Sequence, residues 1–499
     1  MRNPLRLVSR TTIVCLFVFS ARVATAQVDG GSADAVPVAD AGSNVSDATV
    51  VPTGGSLFEQ AAPAATAAPS DSAAKAVTLS GYARGDVFVG KVAGASRATM
   101  KAAYGEASLA LRTAKTAHGD GFAEARVRTG LQGDDRQTFL DLREAYVNGY
   151  AGPIDVRLGQ QIIVWGRADA LNPTNNLTPV DFRIRSPIED DIRLGNVGAR
   201  AFLRMAPLRL EGVWMPIYLP TQLPPVGLPQ FVSYGPTAIP APELANGLYA
   251  GRLHVELPAI ELSVSYLRGY APLPGLKMSS LKLTGMPDPP PSIVVARTPY
   301  RHQVIGFDFS TAIGDLLTIR GEAAYRRPED DNVHRGYIPR ADIQYVLGVD
   351  HNFGAVNVIV QYLGRYVLDW QKENGPAMTL DPATLPTLGP SYTDVVTDTV
   401  NAVLSKTNQI LFQQTARIQH VGTLRAEWVG AHDTLTISAL AVVNVTTHEW
   451  LLTPRIGYRV SDALTVYVGG QIFHGPRDTL FGLIDAELSA GYAELRYTF

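Results

Sequence analysis

The sequence has a single cysteine, Cys15, among 499 residues. It lies within an N-terminal export signal. Arg2, Arg6 and Arg10 make a basic start, Ile13 to Phe19 is an apolar run, and Ala24-Thr25-Ala26 is a small-residue cleavage site. That run is well under the ~20 residues a membrane-spanning helix needs. The mature chain is expected to begin at Gln27 and to carry no cysteine, which excludes disulfides and thiolate metal sites. No later apolar run is long enough for a transmembrane helix. There is no basic excess either. The formal charge of -3 becomes about -7 once the four arginines of the signal are removed, so nucleic-acid binding is not expected. The nine histidines make no HExxH or paired metal spacing. His432 with Asp433, and His448 with Glu449, are sequence neighbours and would point to opposite faces of a strand. GxSxG, Walker and GxGxxG motifs are missing from the mature chain. No cofactor, metal or catalytic group is expected. A nominal hydrolase set of His254, Glu256 and Ser265 is outweighed by a simpler role as hydrogen-bonded wall residues.

What the chain does hold is glycine (45), tyrosine (20) and alternation, with a mean hydropathy of +0.04. Gln27 to Lys75 is rich in Ala, Pro, Ser, Gly and Asp and cannot bury enough to fold. It is expected to be a disordered periplasmic segment, serving as a tether or as a site for a periplasmic partner. From residue 76 the chain alternates. In Tyr104 to Thr113, Glu106, Ser108 and Arg112 face one way, Ala107, Leu109 and Leu111 the other. Phe122 to Thr129 sets Glu124, Arg126 and Arg128 against Ala123, Ala125 and Val127. A hairpin follows: Thr138 to Tyr150, an Ala-Gly-Pro turn, then Ile154 to Trp165. Glu144 breaks its pattern, which marks a bulge or an acid near a membrane interface. His302 to Phe309 is ambiguous.

A soluble sandwich turns such charges to water and its apolar faces to a core. A barrel in lipid does the reverse. Period alone does not separate the two, but turn lengths do. Short turns at 151–153, 206–207, 258–259 and 351–352 alternate with long loops over 166–196, 216–246, 269–300 and 368–406. Reading Thr407 to Gly430 as one strand gives about eighteen strands, an even number, as bacterial barrels require. The chain ends on an alternating strand, Ala490 to Phe499, with Leu495, Tyr497 and Phe499 on one face and Glu494 and Arg496 on the other. A barrel must pair its last strand with its first. The expected fold is an all-β transmembrane antiparallel barrel over 76–499, with short periplasmic turns and long extracellular loops, in the cell outer membrane. Its expected partners are outer-membrane lipid and lipopolysaccharide, and the barrel assembly machinery, which would read Tyr497 and Phe499.

Two sets of residues are candidates for function. Arg126, Arg128, Asp141, Arg143, Asp155 and Arg157 lie on neighbouring strands, where they either tie the wall together or set a field that filters solutes. After Trp165, Gly166 allows a turn into a loop dense in Asn, Asp, Pro and Arg, and Asn and Asp favour compact loops. Folded inward, it would narrow the lumen with Trp165, Arg167, Asp169 and Asp181, with Arg183 beside them.

The run from Leu142 to Asp181 resembles the signature of a proteobacterial outer-membrane barrel family, DUF1302-like. The residues are Arg143-Glu144-Ala145-Tyr146, Arg157-Leu158-Gly159-Gln160-Gln161, Trp165-Gly166, Asp169, Asn172-Pro173 and Pro179-Val180-Asp181. Gln160 departs from the arginine usual in that family. Alginate-export-type barrels are more distantly similar. The resemblance implies outer-membrane transport, often of hydrophobic compounds or within export and lipid-handling systems. The expected function is therefore a channel for a solute, hydrophobic compound or polysaccharide. The alternatives are a barrel component of an envelope export or assembly complex, and an outer-membrane enzyme, which nothing in the sequence supports.

Overall fold

In a computed structural model, the alternating segments form one closed antiparallel sheet of 18 strands. The structure describes residues 76–499 apart from 92–96, 134, 170, 224–231, 283–291, 315–316, 330–334 and 377–391. The export signal, the 27–75 segment and the proline-rich stretches near 224–230 and 286–291 lie outside the described residues.

Closure is made by the ends of the chain. Val77–Lys91 pairs with Ala490–Thr498, from Tyr82 opposite Thr498 to Val89 opposite Gly491. Phe499 adds one more pair, exchanging backbone hydrogen bonds with Gly81 at 2.9 and 3.0 Å. A closed ladder leaves no row of unpaired N–H and C=O groups facing lipid. Side chains sort by face as the alternation requires. Leu109, Val264, Leu347, Val360, Val468 and Leu495 point outward and are about half exposed, while Glu106, Ser263, Gln344, Gln361 and Glu494 on the same strands are buried. A polar interior inside an apolar outer band suits lipid and would be unstable in water. The protein is an outer-membrane β-barrel. Among the described residues no helix is long and apolar enough to cross a membrane.

Three local expectations need correction or completion. The fifth strand is Ile154–Gln161, and the four residues after it leave the wall instead of extending it to Trp165. Thr407 to Gly430 is not one strand. Residues up to Leu411 finish a helix, α1 (Tyr392–Leu411), and the strand is Ile418–Gly430. The count of eighteen survives because this span still supplies one strand. The misreading has a cause: most of α1 falls in the 368–406 span expected to be a long loop, so only its end, Thr407 to Leu411, was left to be joined to the following strand. Glu144 does mark a bulge. The register with Gly119–Gln132 shifts there, so Arg143 and Glu144 both leave the lipid face. The Glu144 carboxylate then accepts the Ile162 N–H at 2.8 Å, where the chain departs from the wall.

Beyond the long-loop end, α1 packs on a three-stranded sheet of Val232–Tyr234, Gly275–Lys282 and Ser292–Thr298. Leu276, Ile293 and Val295 meet Val396, Val400 and Leu404 in a small core. Buried Asn408 locks the contact. Its amide donates to the carbonyls of Leu276 and Gly336 at 2.8 and 2.9 Å, and its oxygen accepts the Leu276 N–H at 2.7 Å.

The outward setting of Leu109 yields a test. Leu109→Arg should destabilise the barrel in phospholipid vesicles by about 2–4 kcal/mol if the position is near the bilayer midplane. Urea titration of the folded fraction reads it, and an unchanged midpoint would place Leu109 in water.

Candidate functional site

Gln161 ends its strand buried, and Ile163 and Trp165 continue inward with 1% exposure each. They and Leu177 pack against the inner face of the wall at Val213, Met215, Leu267, Val304 and Ala324. The indole N–H of Trp165 donates to Glu211 at 3.0 Å. Glu211 also accepts from Arg200 at 2.7 Å and faces Nε2 of His254 at 3.2 Å. Gly166 then turns the chain at φ +102°, and a Cβ there would collide with the Asn172 amide. Asn172 accepts from the Thr174 hydroxyl and the Asn175 N–H, both at 3.1 Å, so the loop folds on its own Asx turn.

Past this turn the loop is tied to the wall by charge. Arg167 donates to Asp308 at 2.8 Å and Glu261 at 2.5 Å. The backbone N–H groups of Arg167 and Ala168 both point at the Glu322 carboxylate, which also accepts the Thr174 hydroxyl at 3.0 Å. Asp169 pairs with Arg425 at 2.8 Å. The returning half reaches other strands. Asp191 meets Arg84 at 2.8 Å and Arg126 at 2.9 Å. Asp190 pairs with Arg143. The Arg185 carbonyl accepts from Tyr104 at 2.7 Å and Arg128 at 3.0 Å. Glu106 closes the network, with Arg84 at 2.7 Å and Arg128 at 2.6 Å. Arg185 itself pairs with Glu487 at 3.0 Å, on a second short helix, α2 (Leu480–Leu488).

The structure thus brings Trp165, Arg167 and Asp169 together with wall groups, and joins Arg126, Arg128 and Arg143 to the same loop. Asp181 and Arg183 instead pair with each other at 2.7 Å, and Asp181 bridges to Gln222. Asp141 stands opposite Arg126 in the strand register. Asp155 pairs with Arg204, and Arg157 donates to Asn148 at 2.9 Å and lies 3.9 Å from the Tyr146 ring. These last contacts run from wall to wall. Tyr497 and Phe499 face outward, 50% and 53% exposed. His254 is drawn to Glu211, while Glu256 pairs with Arg209 at 3.0 Å, so the nominal His254–Glu256 pairing does not form. Among the described residues no group of three or more His, Cys, Asp or Glu can hold a metal ion.

The sequence reading missed Asp191, Glu261 and Asp308. The acidic run Glu189-Asp190-Asp191 between Arg185 and Arg193 was a visible signal. Asp308 sits in the segment that looked ambiguous, because inward Val304 there belongs to the apolar cluster under Trp165.

A family profile, described as a protein of unknown function (DUF1302), matches residues 96–420. The chain belongs to this family. Among curated proteins, none matches it. Solved structures similar to this DUF1302 chain include OccK2 (OpdF) of Pseudomonas aeruginosa, in complex with glucuronate: 11% identity, TM-score 0.49, covering 85% of this chain and 96% of that one. OccAB3 of Acinetobacter baumannii is 12% identical, with TM-score 0.48 and coverage of 85% and 99%. A BenF-like porin from Pseudomonas fluorescens Pf-5 is 10% identical, with TM-score 0.47 and coverage of 85% and 98%.

In this DUF1302 member, two aspartates of the loop, Asp169 and Asp191, differ electrostatically. Burial lifts the Asp169 carboxyl above its usual value, despite Arg425. Burial would lift Asp191 too, but Arg84 and Arg126 outweigh it and hold that carboxyl well below the usual range. Acidification should therefore protonate Asp169 first and loosen the Arg425 tie. Asp169 binds its proton more tightly folded than unfolded, so that protonation favours the folded chain. The Asp191 contribution is fully present above the unfolded value of about 3.9 and is lost only as the pH falls through its depressed folded value. Carboxyl 13C titration in micelles checks this order. Asp169→Asn should remove a resonance titrating above the ordinary aspartate range, and Asp191→Asn should remove none.

Proposed function

We propose that this protein is an outer-membrane channel. Through it a solute crosses passively along a charge-lined lumen that the 162–195 loop narrows. One observation carries the reading: the loop is held inside the barrel by ion pairs to opposite parts of the wall, from Asp308 to Arg425 to Arg84. A segment that only capped the mouth would have no use for buried partners along both of its halves. Fixed charges around a narrowed aqueous path discriminate by size and field without any bond being made or broken. Outward Tyr497 and Phe499 end the closing strand, where the barrel assembly machinery would engage them, and the apolar belt takes lipid and lipopolysaccharide.

Planar-bilayer recording tests the reading. The purified protein should give discrete, ion-selective steps. Arg167→Ala combined with Asp169→Asn, which unties the middle of the loop, should raise single-channel conductance severalfold. A barrel that inserts but stays silent, with and without these changes, would contradict it.

A further inference from the structure

The outside of the barrel is not uniform at its long-loop end. Several strands present apolar side chains there, such as Met100, Val197 and Val443. The neighbouring strands Ile260–Tyr270, Arg301–Ile313 and Leu317–Pro328 carry charge instead. Arg268, Gln303 and Arg327 stand side by side in their register. They share the parity of outward Tyr266, Ile305 and Tyr325, so they face out too, and both arginines are exposed. Two strand spacings, about 10 Å, separate the two. Nearer the mouth, Arg301 stands opposite Tyr270, its guanidinium 5.4 Å from the centre of that ring. Glu329 is shared, at 2.5 Å from Arg268 and 3.3 Å from Arg301. Among the described residues of these strand ends, three outward guanidiniums are set against that one carboxylate.

Two further features surround this row. Toward the membrane, Tyr266, Ile305 and Tyr325 make the next row of the same register, and Val264 and Phe307 lie below them. Tyrosine rings sit at headgroup level and aliphatic residues at acyl level, so the arginines stand where phosphate is found. Toward the mouth, the short turn Leu244–Asn246 is drawn over the outer side of the wall. The Leu244 carbonyl accepts from the hydroxyl of outward Tyr249 at 2.7 Å, and the Ala245 carbonyl accepts from Arg301 at 2.6 Å. Ile239 and Leu244 of this segment are 62% and 69% exposed. Apolar side chains held out beside a cationic row suit a boundary of sugar and hydrocarbon better than open water.

We infer that this patch is a docking site for one lipopolysaccharide molecule of the outer leaflet, with Arg268 and Arg327 receiving the phosphates of its lipid A. The inference rests on the lipid contact proposed above and gives it a place. Guanidinium groups take phosphate by charge and by paired N–H donors. The acyl chains lie along Tyr266, Ile305 and Tyr325, and Ile239 and Leu244 flank the sugar end. The route through the lumen is not involved.

Lipid titration of the full-length protein in detergent micelles tests it, with bound lipid read by native mass spectrometry. The probes are purified diphosphorylated lipid A, the same lipid with its phosphates removed, and phosphatidylglycerol. Lipid A should be retained over the other two. Arg268→Gln combined with Arg327→Gln should weaken it about tenfold, as expected for two surface cations. Lys91→Gln with Arg136→Gln, which removes two exposed cations elsewhere on the rim, should leave it unchanged. A second measurement needs no loss of charge: a benzophenone side chain in place of Gln303 should crosslink lipid A in vesicles, and one in place of Val197 should not. Equal weakening by both pairs of substitutions, or equal crosslinking at both positions, would overturn the site and leave only a general contact around the belt. Failure to retain lipid A at all would overturn that contact as well. Neither result bears on conductance, which tests the channel separately.

Discussion

Arg84 has a side chain with no exposed surface, on a strand whose outer face meets hydrocarbon. A buried guanidinium is tolerated only when carboxylates surround it. Glu106 from the next strand and Asp191 from the loop lie at 2.7 and 2.8 Å, with Asp86 at 3.4 Å and Glu494 at 3.9 Å. Asp191 is the one member of this group that the wall does not supply. Without the loop, Arg84 and Arg126 would each lose their Asp191 partner, and only the wall acids Asp86, Glu106, Glu124 and Glu494 would remain. Removing one member of a buried ion cluster costs about 3–5 kcal/mol. The loop is therefore part of how the interior of the barrel is neutralised.

The same logic runs with the sign reversed on the facing wall. Asp308, Glu322 and Glu261 are acids, and there the loop presents Arg167 and two backbone N–H groups. At Glu211 it presents an indole N–H. The loop thus carries positive or hydrogen-donating groups where the wall is acidic, and acids where the wall is basic. Its orientation inside the barrel follows from that complementarity. Between the charged contacts, Ile163, Trp165 and Leu177 exclude water and strengthen the neighbouring hydrogen bonds. The lumen is consequently less uniformly wet than a wall of alternating charges implies.

The barrel was legible because lipid imposes a strict rule on strands: Leu109 and Leu495 must face out if Glu106 and Glu494 face in. Alternation, turn length and a terminal aromatic strand carry that rule in local sequence. The inward loop was legible only in outline. Gly166 and the Asx-rich run announced a compact fold, and Trp165 shared the parity of the lumen face. Its partners were not legible, because Asp308 and Arg425 are brought to it by barrel closure, which no local pattern records. Asp181 and Arg183 looked like lumen groups by composition but satisfy each other. Helix α1 was not legible because most of it falls in the span over 368–406 that read as a long loop, and the polar Asn408 that secures it breaks the apolar stripe that would have revealed it.

The claim at the centre of this account is that the loop is folded inside the barrel and held there by wall carboxylates. Hydrogen exchange in lipid nanodiscs measures it directly, at the amides of Arg167 and Ala168. If Glu322 accepts both N–H groups, they should exchange about as slowly as the wall strand Leu317–Pro328, and Glu322→Ala should make them fast. Rapid exchange at both amides in the unsubstituted protein, equal to that of an exposed loop, would contradict it.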